Sequence, residues 1–394
     1  MKKVESLVSA GVNLNEPNQY GCTPLDYAAL FNRDQVAALL LANKADPNIR
    51  AESALRSTEC RQTPLQIAAS MSNLRMASIL VSAGASVRAT TDAGRTALHF
   101  ATVGSHLDMM RFLLRKGADV KARDAEGSSA LDEAVWRGHL EAAAILLANG
   151  APLNEPETKT GATPINEAAY RNELRLVVYL LQFHPDLRTP DKRGYTPLEN
   201  AIRMGNEDVA ISLLKAAPKE QKTAAFLNKM LATSAAKNEA RVAAALLSDG
   251  ADANARLTDK ATPLDVAASE DAEGVVRVLL HRGANPNGNT QNGTSPLENA
   301  ALKGFAEIAR MLLDRGANVD QVNAASGTTA LYAAAAFGKR EVVNLLLQRR
   351  AKPNLCGNGK TTPYKAAVES GFNDIAREIQ QHDGSTTCLN SGRQ

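Results

Sequence analysis

The sequence predicts an all-α solenoid of about eleven helix-turn-helix repeats, and three observations support this fold class. A Thr-Pro-Leu triplet or a close variant recurs from Thr23 to Thr362 at intervals of 33 or 34 residues, except for a first interval of 40 and one of 66, which equals two periods. Glycine recurs in phase with the triplet, after a pair of apolar residues, from Gly11 to Gly316. Alanine occupies fixed sites in each period. Regular repetition of this kind indicates a repeat architecture.

The triplet marks the start of the first helix of each repeat. At Thr196-Pro197 the threonine hydroxyl can accept a backbone N–H, and proline at the first helical position loses no hydrogen bond. The apolar residues that follow have helical spacing, and Gly205 or its equivalent ends this helix. We therefore expect a short first helix in every repeat.

The glycine ladder marks the end of the second helix. Asp208 to Leu214 shows the apolar spacing of a helix, and a glycine after such a segment suits the left-handed residue of a C-cap. One helix pair cannot bury its own apolar faces, whereas stacked pairs can. The small alanines let neighbouring pairs pack closely, so the sequence predicts a stack of repeats.

The consensus of the repeats resembles the ankyrin-repeat family. It reads Gly-x-Thr-Pro-Leu-x-x-Ala-Ala, then a short second helix that ends Leu-Leu-x-x-Gly-Ala-Asp-x-Asn, as at residues 281–287 and 116–120. The resemblance covers roughly residues 4–382, nearly the whole chain. It implies an ankyrin-type, curved and elongated solenoid with short β-turn tips. It also implies a concave groove, lined by turn tips and first helices, that binds a partner protein and carries out no catalysis.

Irregularities in the ladders predict the organisation of the chain. The second helix before Gly11 has no first helix before it, the long first interval predicts a projecting finger, and the seventh repeat lacks both Thr-Pro-Leu and the Gly-Ala-Asp turn. We expect weaker coupling between neighbours at that repeat. The predicted segments are a half-repeat at 1–16, repeats one to six at 17–217 with the finger near 49–61, repeats seven to eleven at 218–382 with the degenerate repeat at 218–250, and a polar, frayed tail at 383–394.

Composition narrows the possible partners and compartments. The net charge of +3 is too small to argue for nucleic acid or a membrane surface as a bulk partner. The four cysteines are far apart and form no Cys-x-x-Cys pair, which fits free thiols in a reducing compartment. No apolar run has the length of a signal sequence or a membrane span. We therefore expect a cytoplasmic protein, and a monomer.

The sequence offers no catalytic, cofactor or metal site. Gly357 to Thr362 ends like a phosphate-binding loop, but the pattern needs a glycine where Asn354 stands, and Thr362-Pro363 already begins a helix. His99 and His106 are seven residues apart, which is not the spacing of a helical metal pair, and the place of His99 suits a structural residue. We expect a protein that is not an enzyme and binds no cofactor.

The predicted function is therefore partner binding through the groove. In ankyrin repeats, the two residues between the Ala-Ala pair of the first helix and its glycine face the concave side. In repeats four to six these positions carry Trp, Tyr and Arg, which are the residue types that dominate binding hot spots, and a basic turn tip lies beside them. Such a groove suggests an acidic partner segment. The predicted site consists of Trp136, Arg137, Tyr170, Arg171, Lys192, Arg193, Arg203 and Met204.

Two other functions stay open at this point. Since the chain begins inside a repeat, it could be the recognition part of a larger enzyme or effector whose working domain lies upstream of Met1. Binding of nucleic acid through the basic stripe of the groove is a more distant possibility, and a steep loss of binding with salt would favour it. An interaction scaffold is the reading that the repeats favour.

Overall fold

A computed structural model describes residues 1–49, 61–257, 260–288, 290, 292–356 and 361–388. The described residues contain 23 α-helices, namely a single N-terminal helix followed by eleven helix pairs. The predicted all-α solenoid of ankyrin-type helix pairs is confirmed. An isolated β-bridge joins Arg123 and Ser129 at a turn. The predicted finger at 49–61 lies outside the described residues except at its two ends.

The chain divides into two compact units, Met1–Pro197 and Leu198–Gln394. The first unit contains α1 (Lys2–Ser9), α2 (Pro24–Leu30), α3 (Asp34–Ala42), α4 (Pro64–Ser70), α5 (Leu74–Ser82), α6 (Ala97–Val103), α7 (Leu107–Arg115), α8 (Ala130–Trp136), α9 (Leu140–Ala148), α10 (Pro164–Tyr170) and α11 (Leu174–Leu181). The second, apart from the first residue of α12, contains α12 (Pro197–Met204), α13 (Glu207–Ala216), α14 (Ala224–Ala236), α15 (Ala240–Ser248), α16 (Pro263–Ser269), α17 (Glu273–His281), α18 (Pro296–Lys303), α19 (Ala306–Asp314), α20 (Ala330–Ala336), α21 (Arg340–Gln348), α22 (Pro363–Glu369) and α23 (Asn373–Gln381).

Reciprocal hydrogen bonds fix the starts of the first helices. The Thr23 hydroxyl accepts the N–H of Asp26 at 3.2 Å, and the Asp26 carboxylate accepts the N–H of Thr23 at 2.7 Å. The same capping box recurs at the starts of α4, α8 and α16. Each such cap stabilises a helix by roughly 1 kcal/mol. The triplet therefore fixes the register of each repeat.

The core of each unit lies between stacked helix pairs. In the third repeat, Leu98 and Ala101 on the first helix and Met109 and Leu113 on the second are fully buried. The paired alanines of the first helices, such as Ala68 and Ala69 or Ala267 and Ala268, are buried, which allows the close approach that the sequence predicts. Burial of the apolar faces thus depends on neighbouring repeats.

Asparagine side chains tie the turns of neighbouring repeats together. In the second unit, the Asn254 carboxamide accepts the N–H of Asn285 at 2.7 Å and donates to the carbonyl of Gly283 at 3.2 Å. Asn287 makes the same pair of bonds to the next turn. The asparagine of the Gly-Ala-Asp-x-Asn sequence is therefore a connector between repeats.

The seventh repeat has a different first helix from the one that the triplet register predicts. Its helix α14 begins after Thr223, whose hydroxyl accepts the N–H of Phe226 at 3.3 Å, and it runs for 13 residues. Met230, where the triplet would place a proline, lies fully buried in the middle of this helix. A proline there would cost about 3 kcal/mol, because it removes a helical hydrogen bond and clashes with the preceding turn. The capping signal has moved upstream rather than vanished.

Residues 383–388, which belong to the predicted tail, are bonded to the last repeat. Asn354 accepts the N–H of Ser385 at 2.7 Å and donates to the carbonyl of Asp383 at 2.8 Å. These are the bonds that asparagines elsewhere make to the next repeat, so residues 383–388 occupy the place of a further turn.

A disulfide between Cys356 and Cys388 closes this segment onto the last repeat, with the two Cα atoms 5.5 Å apart. Cys22 is disulfide-bonded as well. The expectation of free thiols was wrong for these cysteines. The two residues are 32 positions apart, about one period, and stacking brings equivalent turns together.

Removing this disulfide is expected to weaken the last repeat. In the variant Cys356→Ser/Cys388→Ser, the constraint on a loop of one repeat is lost, which corresponds to roughly 3–4 kcal/mol of unfolding free energy. Native-state hydrogen exchange should show the loss at the amides of α23, while those of α17 keep their protection. Equal protection of α23 in the variant and the parent chain would contradict this expectation.

Glu239, near the start of the second unit, is sensitive to pH. Burial, and then the nearby charge of Glu207 and a hydrogen bond with it, raise the pKa of Glu239 from 4.5 to about 7. Glu207 also pairs with Arg241, whose Nη1 lies 3.5 Å from Glu207 Oε2 and whose Nη2 lies 2.8 Å from Asp208 Oδ1. Glu239 therefore carries a proton in the folded chain that it loses in the unfolded chain above its ordinary pKa.

The stability of the second unit is expected to fall as the pH rises from about 5 to about 8. The folded state binds this proton more tightly than the unfolded state, so deprotonation favours unfolding by about 1–3 kcal/mol. Urea unfolding across this range measures the effect. Glu239→Gln cannot ionise and should reduce the slope, whereas Glu307→Gln, at an exposed ion pair, should leave the slope unchanged. An unchanged slope in Glu239→Gln would exclude this residue as its source.

Candidate interaction site

Two aromatic side chains stand at equivalent positions in consecutive repeats of the first unit. Trp136 is the last residue of α8 and Tyr170 is the last residue of α10. Trp136 is 49% exposed, while Tyr170 is half-buried. Both line a cavity of about 710 Å³ between the first helices and the turns of these repeats. A large, half-exposed indole in a concavity is a suitable anchor for a partner.

Two guanidinium groups lie over the Trp136 ring. The Cζ atom of Arg137 is 5.2 Å from the ring centroid, and that of Arg171, from the next repeat, is 4.6 Å away. Cation–π contacts of this kind contribute about 0.5–2 kcal/mol each. Trp136 is thus held in place by its neighbours and still exposes half of its surface.

Glutamates one helical turn earlier hold the same arginines. Arg137 Nε donates to Glu133 at 2.5 Å, and Arg171 Nε donates to Glu167. Arg95, from the preceding repeat, bonds the other oxygen of Glu133 at 3.1 Å. Both glutamates are mostly buried, so these ion pairs are less screened than exposed ones. On the helix side of the cavity, three arginines are therefore held by two glutamates, while Asp132, a third acid there, pairs with Arg123.

On the turn side of the cavity, the basic residues are engaged within the protein. Arg193 donates to the buried Asp191 at 2.8 Å, and the hydrogen bond with Asp191 raises the pKa of Arg193. The Arg193 guanidinium also lies 4.7 Å from the Tyr170 ring centroid. Lys192 donates to the carbonyl of Thr158 at 2.5 Å. Arg193 therefore holds Tyr170 in position more than it offers a free charge.

Comparison with known families explains this arrangement. The sequence model of ankyrin repeats in three copies matches residues 52–124, 131–224, 229–323 and 316–390, the model of many copies matches 103–147, and the single-repeat model matches 20–52. The chain belongs to the ankyrin-repeat family. Ankyrin repeats are protein–protein interaction modules, generally without catalytic activity, so this chain carries such a module. No curated protein matches the sequence as a whole.

Six of the eight predicted site residues line the cavity of this ankyrin-repeat chain, and two do not. Trp136, Arg137, Tyr170, Arg171, Lys192 and Arg193 line it. Arg203 and Met204 are exposed at the end of α12, in the second compact unit, and are not part of the cavity. The ladder of equivalent positions leaves other large apolar side chains exposed on the repeats, namely Phe31, Met71 and Phe337.

The sequence reading missed the residues that hold the arginines. Arg95, Glu133, Lys159 and Glu167 line the cavity but were not predicted. The signal was present: Glu-Ala-Val-Trp-Arg at 133–137 and Glu-Ala-Ala-Tyr-Arg at 167–171 are the same pattern in consecutive repeats. Glutamate and arginine four residues apart face each other on a helix.

In the parts of the chain that the structure describes, no three His, Cys, Asp or Glu side chains cluster as metal ligands would. None of the described helices combines the length and the apolar character that crossing a bilayer requires.

Proposed function

We propose that the first unit binds a segment of a partner protein in the cavity between repeats four and five, with Trp136 and Tyr170 as anchors. The observation that carries this proposal is the half-exposed indole of Trp136 beneath two guanidinium groups. Aromatic and arginine side chains that are already held in place lose little freedom on binding. On this proposal the protein acts by binding, without catalysis.

We propose that the bound segment is acidic. Equal numbers of acidic and basic side chains line the whole cavity, but they are not evenly distributed. Around Trp136, the charges of Arg95, Arg137 and Arg171 exceed those of the two glutamates that hold them. This local excess of positive charge supports the entry of an anionic group beside the indole.

Lys192 and Arg193 have a supporting role in this proposal. Since their charged groups already bind Thr158 and Asp191, they position the turn and the Tyr170 ring. Arg203 and Met204 are proposed as an additional contact in the second unit, on the basis of their exposure and the sequence register alone.

The other parts of the proposal rest on the sequence. A net charge of +3 supports a protein partner rather than nucleic acid, and we propose that the chain acts as a monomer. We also propose the cytoplasmic location that the sequence predicts. The Cys356–Cys388 disulfide is an observation against it, because cytosolic thiols are normally kept reduced. Alkylation of the protein in intact cells tests it: cytoplasmic residence predicts that both cysteines are modified, and protection of both would place the protein in an oxidising compartment.

Charge reversal at the arginine pair is expected to abolish partner binding. The full chain is immobilised, and peptides that bind it are selected from a displayed random library. The selected peptides should be enriched in Asp and Glu. Arg137→Glu/Arg171→Glu should release them because it replaces two cations beside Trp136 with anions. Trp136→Ala should weaken binding by about 2 kcal/mol or more if the indole is an anchor.

The matched control for this experiment is Arg310→Glu, which also reverses an arginine in a helical ion pair, with Glu307, at 50% exposure. It should bind the selected peptides as the parent chain does, and helicity measured by circular dichroism should be equal in all variants. Peptides that bind the double variant as tightly as the parent chain would place the site elsewhere.

A further inference from the structure

The two arginines beside Trp136 have donors to spare. A guanidinium carries five N–H donors in a planar fork. Arg137 and Arg171 each donate Nε–H to a glutamate, and their Cζ atoms lie 5.2 and 4.6 Å from the Trp136 ring centroid. The Nη groups of both have no hydrogen-bond partner among the described residues, although both side chains are about one third exposed at the cavity. Two forks from consecutive repeats are thus fixed in place with unused edges.

We propose that these two edges form a binding site for a phosphoryl group on a serine or threonine of the partner protein. This inference rests on the proposed function and specifies the anionic group that enters the cavity. We define the phosphoryl site by Trp136, Arg137 and Arg171, with Glu133 and Glu167 as the residues that orient its arginines.

The number of donors favours a phosphoryl group over a single carboxylate. One guanidinium edge is enough to pair with both oxygens of a carboxylate. A phosphoryl group has three terminal oxygens and a charge of about −1.5 to −2 near pH 7, so it can engage two arginine edges at once. Two arginines that converge on one ring therefore match the larger anion better.

The charges around Trp136 also suit the binding of a phosphoryl group. On the helix side, Glu133 is shared by Arg95 and Arg137, and Asp132, the third acid there, pairs with Arg123 at 3.7 Å. Lys159 lines the same cavity and pairs with Glu126 at 3.2 Å, with both side chains 66% exposed. An exposed pair of this kind contributes little stability, so Lys159 can turn toward an incoming anion at small cost. Lys159 would then add a positive charge to those of Arg137 and Arg171 beside the anion.

Trp136 is the only tryptophan of the chain and makes the site directly observable. Intrinsic fluorescence of the full-length protein is titrated with inorganic phosphate at about pH 7.5, with acetate and with sodium chloride at matched ionic strength. Phosphate should produce a saturable change that chloride does not, and acetate should bind roughly tenfold more weakly or worse. A phosphate response no larger than that of chloride would overturn the proposal.

A conservative variant separates fork recognition from simple charge. Arg137→Lys/Arg171→Lys keeps both positive charges but removes the planar forks, so phosphate affinity should fall roughly tenfold. Arg310→Lys is the matched control and should leave the titration unchanged. If the double lysine variant binds phosphate as the parent does, the forks do not recognise the anion and the proposal fails.

A peptide comparison decides between phosphorylated protein and free phosphate. A peptide from the library selection, synthesised with phosphoserine, with serine and with glutamate at its acidic position, is titrated in the same assay. The phosphoserine form should bind more tightly than both other forms and than inorganic phosphate. If the glutamate form binds as tightly as the phosphoserine form, the bound segment is acidic but the phosphoryl site proposed here is wrong. Tighter binding of inorganic phosphate would make free phosphate the ligand.

Discussion

Every repeat of this chain depends on contact with a neighbouring repeat, because a pair of helices this short cannot bury its own apolar face. Fully buried side chains such as Leu98 and Met109 have that environment only within the stack. Turn contacts add to the packing, since Asn254 and Asn287 each bond two backbone groups of the next turn. Residues 383–388 extend the same contacts at the last repeat, where the Ser385 N–H donates to Asn354.

The candidate site is a consequence of the same stacking. Consecutive repeats place the ends of their first helices side by side, so that Arg171 reaches over the ring of Trp136 from the neighbouring repeat. The capping boxes fix where each helix starts and therefore where its last residue stands. Glu133 and Glu167 then orient the arginines, which makes the surface rigid without burying it. The candidate site therefore consists of side chains at the ends of the first helices, which are not packed in the core.

Much of the site could be read from the sequence because the repeats give every residue a register. Trp136, Tyr170 and their arginines were predicted to be adjacent from their positions after the Ala-Ala pair, and they line one cavity. The register did not reveal how charges pair. Arg193 was expected to add positive charge, yet it is bound to the buried Asp191, a contact between residues of one tight turn that the ladder does not specify.

The sequence by itself determined the number of helix pairs, their family and, except at α14, the starts of the first helices, because capping residues and alanines act locally and recur with the period. Only the tertiary structure decided which residues from different repeats meet. Cys356 and Cys388 are one period apart, and stacking joins them, whereas spacing alone suggested free thiols. Likewise α14 begins after its N-cap Thr223 and buries Met230 in its middle, against the triplet register. Contacts between repeats depend on how the repeats stack, and the sequence of one repeat does not specify which residues of the next repeat lie close to it.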